Sequence, residues 1–252
     1  MISFGSGKLI AVPTNLSDGT AIANPTPVIL GAMQDVSLDV SVDLKTLYGS
    51  KRYPLAVGQG KGKIEIKAKH ADIDGGVLGS LFFGKASAAG VKAAVFDFAA
   101  SVPGTPYAVT IVPPSSGTFV ADLGVYNSTT GAQLTRVDIA ATPTTGQYKV
   151  SAAGVYTFAA ADTLKAMKFS YEYSAASGGQ VWTITNDEMG YTPSFTLLLQ
   201  NGFDGKNLVC KLNRCVSGKL SLPLKSDDFS IFDFNAEAFA DAAGNLGYIC
   251  LF

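Results

Sequence analysis

Histidine, tryptophan and cysteine are nearly missing from this chain. Its 252 residues include one histidine, His70, one tryptophan, Trp182, and three cysteines, Cys210, Cys215 and Cys250. A single imidazole leaves a Ser-His-Asp or Cys-His centre only one place to form, and no G-x-S-x-G motif marks a nucleophile for it. His70 falls on the apolar parity of an alternating segment, the position of a hydrogen-bonded core or edge histidine. Three cysteines are an odd, sparse set and make no disulfide framework. With His70 they reach the count of a zinc site, but the spacing at 210–215 is loose and the other two ligands are remote. The plain reading is three small buried thiols.

Charge is scarce as well. Only 15% of residues are charged and the net charge is −1, so no whole-protein field gathers nucleic acid or an anionic membrane. Long hydrophobic runs are absent, and no transmembrane span is expected. The opening "MISFGSGKLIAVPTNLSDG" has no basic segment followed by an unbroken apolar stretch, so it does not read as a signal peptide. The expectation is synthesis in a reducing cytoplasm, where the N-x-S/T matches at Asn15 and Asn127 carry no meaning. "GQGKGK", residues 58–63, misses the phosphate-loop spacing and reads as a turn and strand entry. Acids in rows on long strands are a solvated face more often than a glycosidase pair. The chain is therefore expected not to be an enzyme and to hold no cofactor or metal.

What the chain has in quantity is alternation. With 47% hydrophobic residues, 27 glycines and 11 prolines, its composition fits an all-β protein with one short helix. In "DVSLDVSVDLK", residues 35–45, every odd position is Asp, Ser or Lys, and Val36, Leu38, Val40, Val42 and Leu44 fill the even ones. Period two over such a length is a strand, and no helical face collects those apolar positions. "TLYGSKRYPLAVGQG", residues 46–60, reads as a long Gly- and Pro-punctuated connection. "KGKIEIKAKH" then alternates again, with Lys61, Lys63, Glu65, Lys67 and Lys69 against Ile64, Ile66, Ala68 and His70. The two strands form an antiparallel hairpin in which odd-numbered acids and lysines share a face, where opposite charges favour pairing.

Residues 71–83, "ADIDGGVLGSLFF", change period. Ile73, Val77, Leu78, Leu81 and Phe82 fall at helical spacing, Asp72 suits an N-cap, and Gly84 suits the end. Glycines 75, 76 and 79 speak against the helix. Residues 97–176 are a run of short strands separated by Pro, Gly, Ser and Thr clusters. They are either an inserted β subdomain within a single 1–252 domain or further strands of one sandwich, and both readings stay open.

The last quarter echoes the first. "SGKLSLPLK", residues 217–225, resembles "GKGKIEIKAK", and "IFDFNAEAFAD" sets Asp233, Glu237 and Asp241 against Phe232, Phe234, Ala236, Ala238 and Ala240. The chain thus carries two charged hairpins, one acidic then basic, the other basic then acidic. Long regular edges invite pairing with other chains. Identical copies arranged head to tail can close such hairpins into one barrel, apolar side against each subunit's own sandwich and polar side toward a pore.

The stretch "LGAMQDVSLDVSVDLKTLYGSKRYPLAVGQGKGKIEIKAK" with "GSLFFG", the ending "SLPLKSDDFSIFDFNAEAFADAAGNLGYI" and the middle "GQYKVSAAGVYTFAAADTLKAMKFSYEYS" together resemble the tail tube (major tail) proteins of tailed bacteriophages. The resemblance implies a β-sandwich subunit with a flanking helix, whose two long hairpins join a ring-closed inner β-barrel. Hexameric rings of such subunits stack into the virion tail tube that delivers DNA to the host, assembled in the host cytoplasm. The implied partners are the chain itself, other tail proteins (tape measure, tail tip or baseplate, terminator) and DNA in transient, non-specific passage. The lumen-facing candidates are Asp35, Asp39, Asp43, Lys63, Glu65, Lys67, Lys69, Lys219, Asp233 and Glu237. By the same resemblance the 46–60 loop is a ring-stacking arm anchored by Tyr48, Arg52, Tyr53 and Leu55. Lysines Lys45 and Lys61, and in the second hairpin Lys225 and Asp241, complete a face on which seven lysines meet seven acids, a banded and neutral lining. The competing reading is a receptor- or carbohydrate-binding β-sandwich of the tail tip or baseplate, which accounts for the Ser/Thr-rich middle but not for the charged hairpins.

Overall fold

The computed structural model describes residues 5–72 and 75–252, without the side chains of Leu78 and Phe203. The protein is all-β in class and divides into two compact units, residues 1–87 with 182–252, and residues 88–181. The first unit opens with β1 Lys8–Asn15, β2 Val28–Leu30, β3 Met33–Tyr48 and β4 Pro54–His70. The second contains β5 Ala88–Ser101, β6 Ala108–Thr110, β7 Thr118–Asn127, β8 Thr135–Arg136, β9 Gln147–Val150, β10 Val155–Phe158 and β11 Ala166–Val181. The chain then returns to the first unit with β12 Ser194–Phe203, β13 Lys206–Ser221, β14 Phe232–Ala238 and β15 Gly247–Leu251.

The first unit is one antiparallel sheet in the order β2-β1-β12-β13-β14-β4-β3, with β15 added to β13. Its middle strand, β13, serves two regions. Leu208–Leu212 pairs with β15, while Cys215–Ser221 pairs with β14. On its other edge β13 carries β12, and that pairing ends at Phe195 opposite Cys215. Alternation decides which side is buried. Ile66, Ala68 and His70 of β4 and Phe232, Phe234 and Ala236 of β14 are buried, and their odd-numbered neighbours face out. At about 25 cal/mol per Å² of apolar area, this face is what holds the sheet in place.

A short π-type helix, Val77–Phe82, packs on this core through Val77 and Leu81. Ile73, expected at its start, lies outside the described residues. The glycines that weaken the helix in the sequence have a structural reason. A Cβ at Gly75 or Gly79 would collide with the indole ring of Trp182, which lies against both. Gly84, at φ +60°, then turns the chain, and the Lys85 N–H closes back on the Gly79 carbonyl at 2.9 Å. The Lys85 ammonium holds Asp187 at 2.8 Å; hydrogen bonds from Lys85, Thr185 and Ser17 depress that carboxyl to about 2.

The expected connection over 46–60 is mostly strand. Pairing continues to Tyr48 opposite Pro54, so the turn is only 49–53, and "GQGKGK" lies inside β4. Glycine there serves a bulge and not a loop. The register slips between Val42 and Leu44, and a Cβ on Gly60 would press to 3.2 Å from the Asp43 carbonyl. Every residue from 39 to 63 is exposed, so the distal half of this hairpin is a ribbon solvated on both sides.

In the second unit, sheets β5-β11-β7 and β6-β10-β9-β8 face each other over a shared core that includes Val125, Tyr148, Tyr156, Phe169 and Tyr171. One carboxylate is built into it. Asp122 accepts the Tyr148 hydroxyl at 2.6 Å and the Tyr156 hydroxyl at 2.8 Å. Burial first, and then this carboxylate, push both phenols well above the ordinary tyrosine value.

Among the described residues no sheet closes on itself. Nor is any described helix long and apolar enough to cross a membrane.

Candidate functional site

Strands β3, β4, β14 and β13 lie side by side, so the two charged hairpins are neighbours in one sheet. Their registers align the outward residues in rows across the strands. Asp35 stands opposite Lys69, which stands opposite Asp233, which stands opposite Ser221. The next row is Ser37, Lys67, Asn235 and Lys219. The third is Asp39, Glu65, Glu237 and Val216.

Three carboxylates in one row repel, and the sheet answers with lysines from the rows beside them. Lys67 Nζ lies 3.0 Å from Asp39 and 3.5 Å from Glu65. Lys63 Nζ lies 3.5 Å from Glu65 and 3.3 Å from Glu237. Glu65 is the shared member, and its side chain is only 19% exposed. Asn235 donates Nδ2 to its Oε1 at 2.6 Å. This bond, followed by Lys63 and Lys67, holds the Glu65 carboxyl below its usual range against an opposing contribution from burial. Hydrogen bonds to Glu237 and Asp39 and the field of Glu65 hold Lys63 and Lys67 above theirs. Five acids and four lysines on this face leave it at −1. Two open hollows, about 410 and 390 Å³, flank the Glu65–Asn235 contact.

Of the ten lumen candidates, nine share this face: Asp35, Asp39, Lys63, Glu65, Lys67, Lys69, Lys219, Asp233 and Glu237. The tenth, Asp43, lies further along β3 at the bulge, where Gly60 and Lys61 of β4 stand opposite it. The extra residue belongs to β4, so Asp43 and Lys45 keep the alternation of β3. A Cβ on Gly60 would meet Asp43 Cβ and Lys45 Cε both at 3.3 Å. Lys225 and Asp241 are off the strands altogether. Lys225 pairs with Asp228 at 3.2 Å in the loop before β14. Asp241 accepts backbone N–H groups of Ala243 and Asn245 and builds a turn.

The stacking candidates lie at the tip of the exposed ribbon, Arg52 and Tyr53 in the turn, Tyr48 and Leu55 on the strands. Tyr53 is 75% and Leu55 68% exposed, with Leu44, Leu47 and Val57 exposed beside them. Such an apolar surface marks an interaction site more often than a free one.

Asn235 had no signal in the sequence beyond its parity. Neither did the adjacency of β14 to β4, because apolar alternation fits a strand to any neighbour.

His70 is buried and hydrogen-bonded as expected. Its Nδ1 donates to the Asp72 carbonyl at 2.8 Å, and Nε2 has no hydrogen-bond partner among the described residues. Cys210 and Cys215 are buried, and desolvation pushes the Cys215 thiol up to about 12. Cys250, expected to be buried, is exposed on β15, where it pairs with Val209 at the sheet surface. No cluster of three metal-ligating side chains occurs among the described residues.

No family model matches the chain, and comparison with curated proteins gave no match.

Proposed function

We propose that this chain is a structural subunit of a bacteriophage tail tube, assembling with copies of itself into stacked hexameric rings that conduct DNA. The observation that carries this reading is that the two charged hairpins form four adjacent strands of one sheet, polar on one side and apolar on the other. Among the described residues, β3 and the end of β13 past Cys215 have no strand on their outer side, the open edges a ring of copies needs to close an inner barrel.

The polar side suits a pore that DNA must pass without adhering. Proteins hold DNA by exchanging lysine and arginine for the counterions on its phosphates. Lys63 and Lys67 are each already held between two carboxylates, so a phosphate must displace a carboxylate to engage them. A nearly neutral face with bridged lysines gives passing DNA little to grip.

The exposed ribbon suits the stacking of one ring on another. A two-stranded ribbon by itself is marginally stable in water, and burying Tyr48, Tyr53, Leu55 and Val57 against an adjacent ring supplies what it lacks. Tape-measure, terminator and tail-tip or baseplate proteins are the partners this role entails, with the virion tail as its location.

Negative-stain microscopy of purified protein across a concentration series tests the reading. Rings or tubes with a central channel are expected. Protein that stays monomeric at every concentration, also when tube fragments are added as seeds, contradicts it.

A further inference from the structure

We infer that neighbouring copies join through the β13 edge of one and the β3 edge of the next, registered by an ion pair between Lys219 and Asp35. The inference rests on the ring reading above and adds the contact that closes it.

Among the described residues, two edges of the charged sheet are open. β3 is the last strand and has β4 on one side alone. Past Cys215, β13 has lost β12, so its last residues, Val216–Ser221, have β14 on one side and no described strand on the other. One edge therefore lies at each side of the four strands.

Strand direction allows the two edges to meet. Each neighbouring pair from β3 through β4 and β14 to β13 is antiparallel, so β3 and β13 run oppositely. Rotation about an axis along the strands preserves direction. The β13 of one copy then meets the next β3 antiparallel, and the alternation runs unbroken around the ring. An odd number of strands would force a parallel pair at every junction.

Charge separates the edges. β3 presents Asp35, Asp39 and Asp43 before its first lysine, Lys45, whereas the charge on the open part of β13 is Lys219. Neither Lys219 nor Asp35 makes an ion pair or side-chain hydrogen bond among the described residues. Asp39 is already held by Lys67 at 3.0 Å. Lys69 and Asp233, which also form no ion pair among the described residues, stand on the inner strands β4 and β14, so Lys219 and Asp35 are the lysine and the acid left on the two open edges of this face.

Parity narrows the register. Lys219 shares a row with Asn235, Lys67 and Ser37. A continuous polar face requires its partner on the next β3 to be odd-numbered, since a one-residue slip turns the face over. With no stagger the partner is Ser37, which leaves Asp35 on the diagonal within reach of a long side chain. A stagger of two residues, of the kind barrel closure imposes, sets Lys219 directly opposite Asp35 or Asp39. Asp39 is held by Lys67, whereas Asp35 has only Lys69 opposite it and forms no ion pair with it.

Charge reversal tests the pairing. Lys219→Glu, Asp35→Lys and the chain carrying both are compared with wild type by sedimentation velocity and microscopy, with the melting temperature of the monomer as a folding control. Both residues are exposed, so the monomers are expected to melt alike. Each single reversal is expected to lower the assembled fraction about tenfold, since like charges then oppose at every junction, and the double reversal to restore it. Wild-type rings that form equally well with either single reversal, or a double variant no better than the singles, overturn the pairing and leave the ring reading standing. Wild-type protein that forms no ring under any condition overturns both.

Discussion

Asp39 and Glu65 stand directly opposite one another on β3 and β4, two carboxylates in a place where sheets disfavour like charge. Lys67 reconciles them by touching both, and Lys63 does the same for Glu65 and Glu237. The face is held by a chain of shared contacts, so removing its shared member disturbs two lysines at once.

Glu65→Gln tests that coupling. Glu65 titrates below its ordinary value of 4.5, chiefly because Asn235 donates to it. A lowered carboxyl stabilises the fold above its unfolded value and loses that effect as pH falls through the lowered one. Wild type is therefore expected to melt higher than the variant at neutral pH, with the gap closing below about pH 4.5. Lys63 and Lys67 titrate above 10.5, so their contribution is complete below that value and fades as pH rises through the raised ones. Melting temperatures across pH check both limbs, and a gap independent of pH contradicts the network.

At the ribbon tip, Tyr53→Ser with Leu55→Ser is expected to leave the unfolding free energy of the monomer within about 0.5 kcal/mol of wild type, because neither side chain is buried. On the proposed function the same variant forms rings that stack poorly, and microscopy reads this as shortened tubes. Unchanged tube lengths remove the ribbon from the stacking contact.

Gly79→Ala places a methyl group into the ring of Trp182. Overpacking of this kind costs about 1–3 kcal/mol. Trp182 is the only tryptophan, so its fluorescence emission reports the displacement directly as a shift to longer wavelength. Unaltered emission and stability contradict the packing.

Asp122→Ala leaves the Tyr148 and Tyr156 hydroxyls without the acceptor they share. Stranding two buried donors costs about 2–4 kcal/mol, which thermal unfolding measures. In wild type both phenols titrate above the ordinary value of 10, so stability falls as pH climbs past it. Ultraviolet titration is expected to show these two tyrosines ionising only as the second unit unfolds.

Alternation made much of the charged sheet legible. The parity of Asp35, Asp39, Glu65, Lys67, Asp233 and Glu237 was plain, because a strand with one buried face must alternate. Strand order was not, since Phe232, Phe234 and Ala236 would pack as well beside any partner with an apolar face. The full length of the hairpin is hidden in the sequence because Gly58, Gly60 and Gly62 look like loop residues, whereas Gly60 admits a bulge within a continuing strand. The helix glycines looked like defects until Trp182, distant in sequence, supplied what they accommodate. Cys250 was expected inside because thiols usually are, and only the sheet position of β15 shows it outside.

On the proposed function, β3, β4, β14 and β13 line a pore made by a ring of copies, and a cryo-electron-microscopy reconstruction of the purified assembly is the decisive test. A closed antiparallel barrel with four strands from each copy is expected, Glu65 and Asn235 facing the axis, and β13 beside the β3 of the next copy. A ring whose channel is lined by the second unit, or whose charged sheet faces outward, contradicts it.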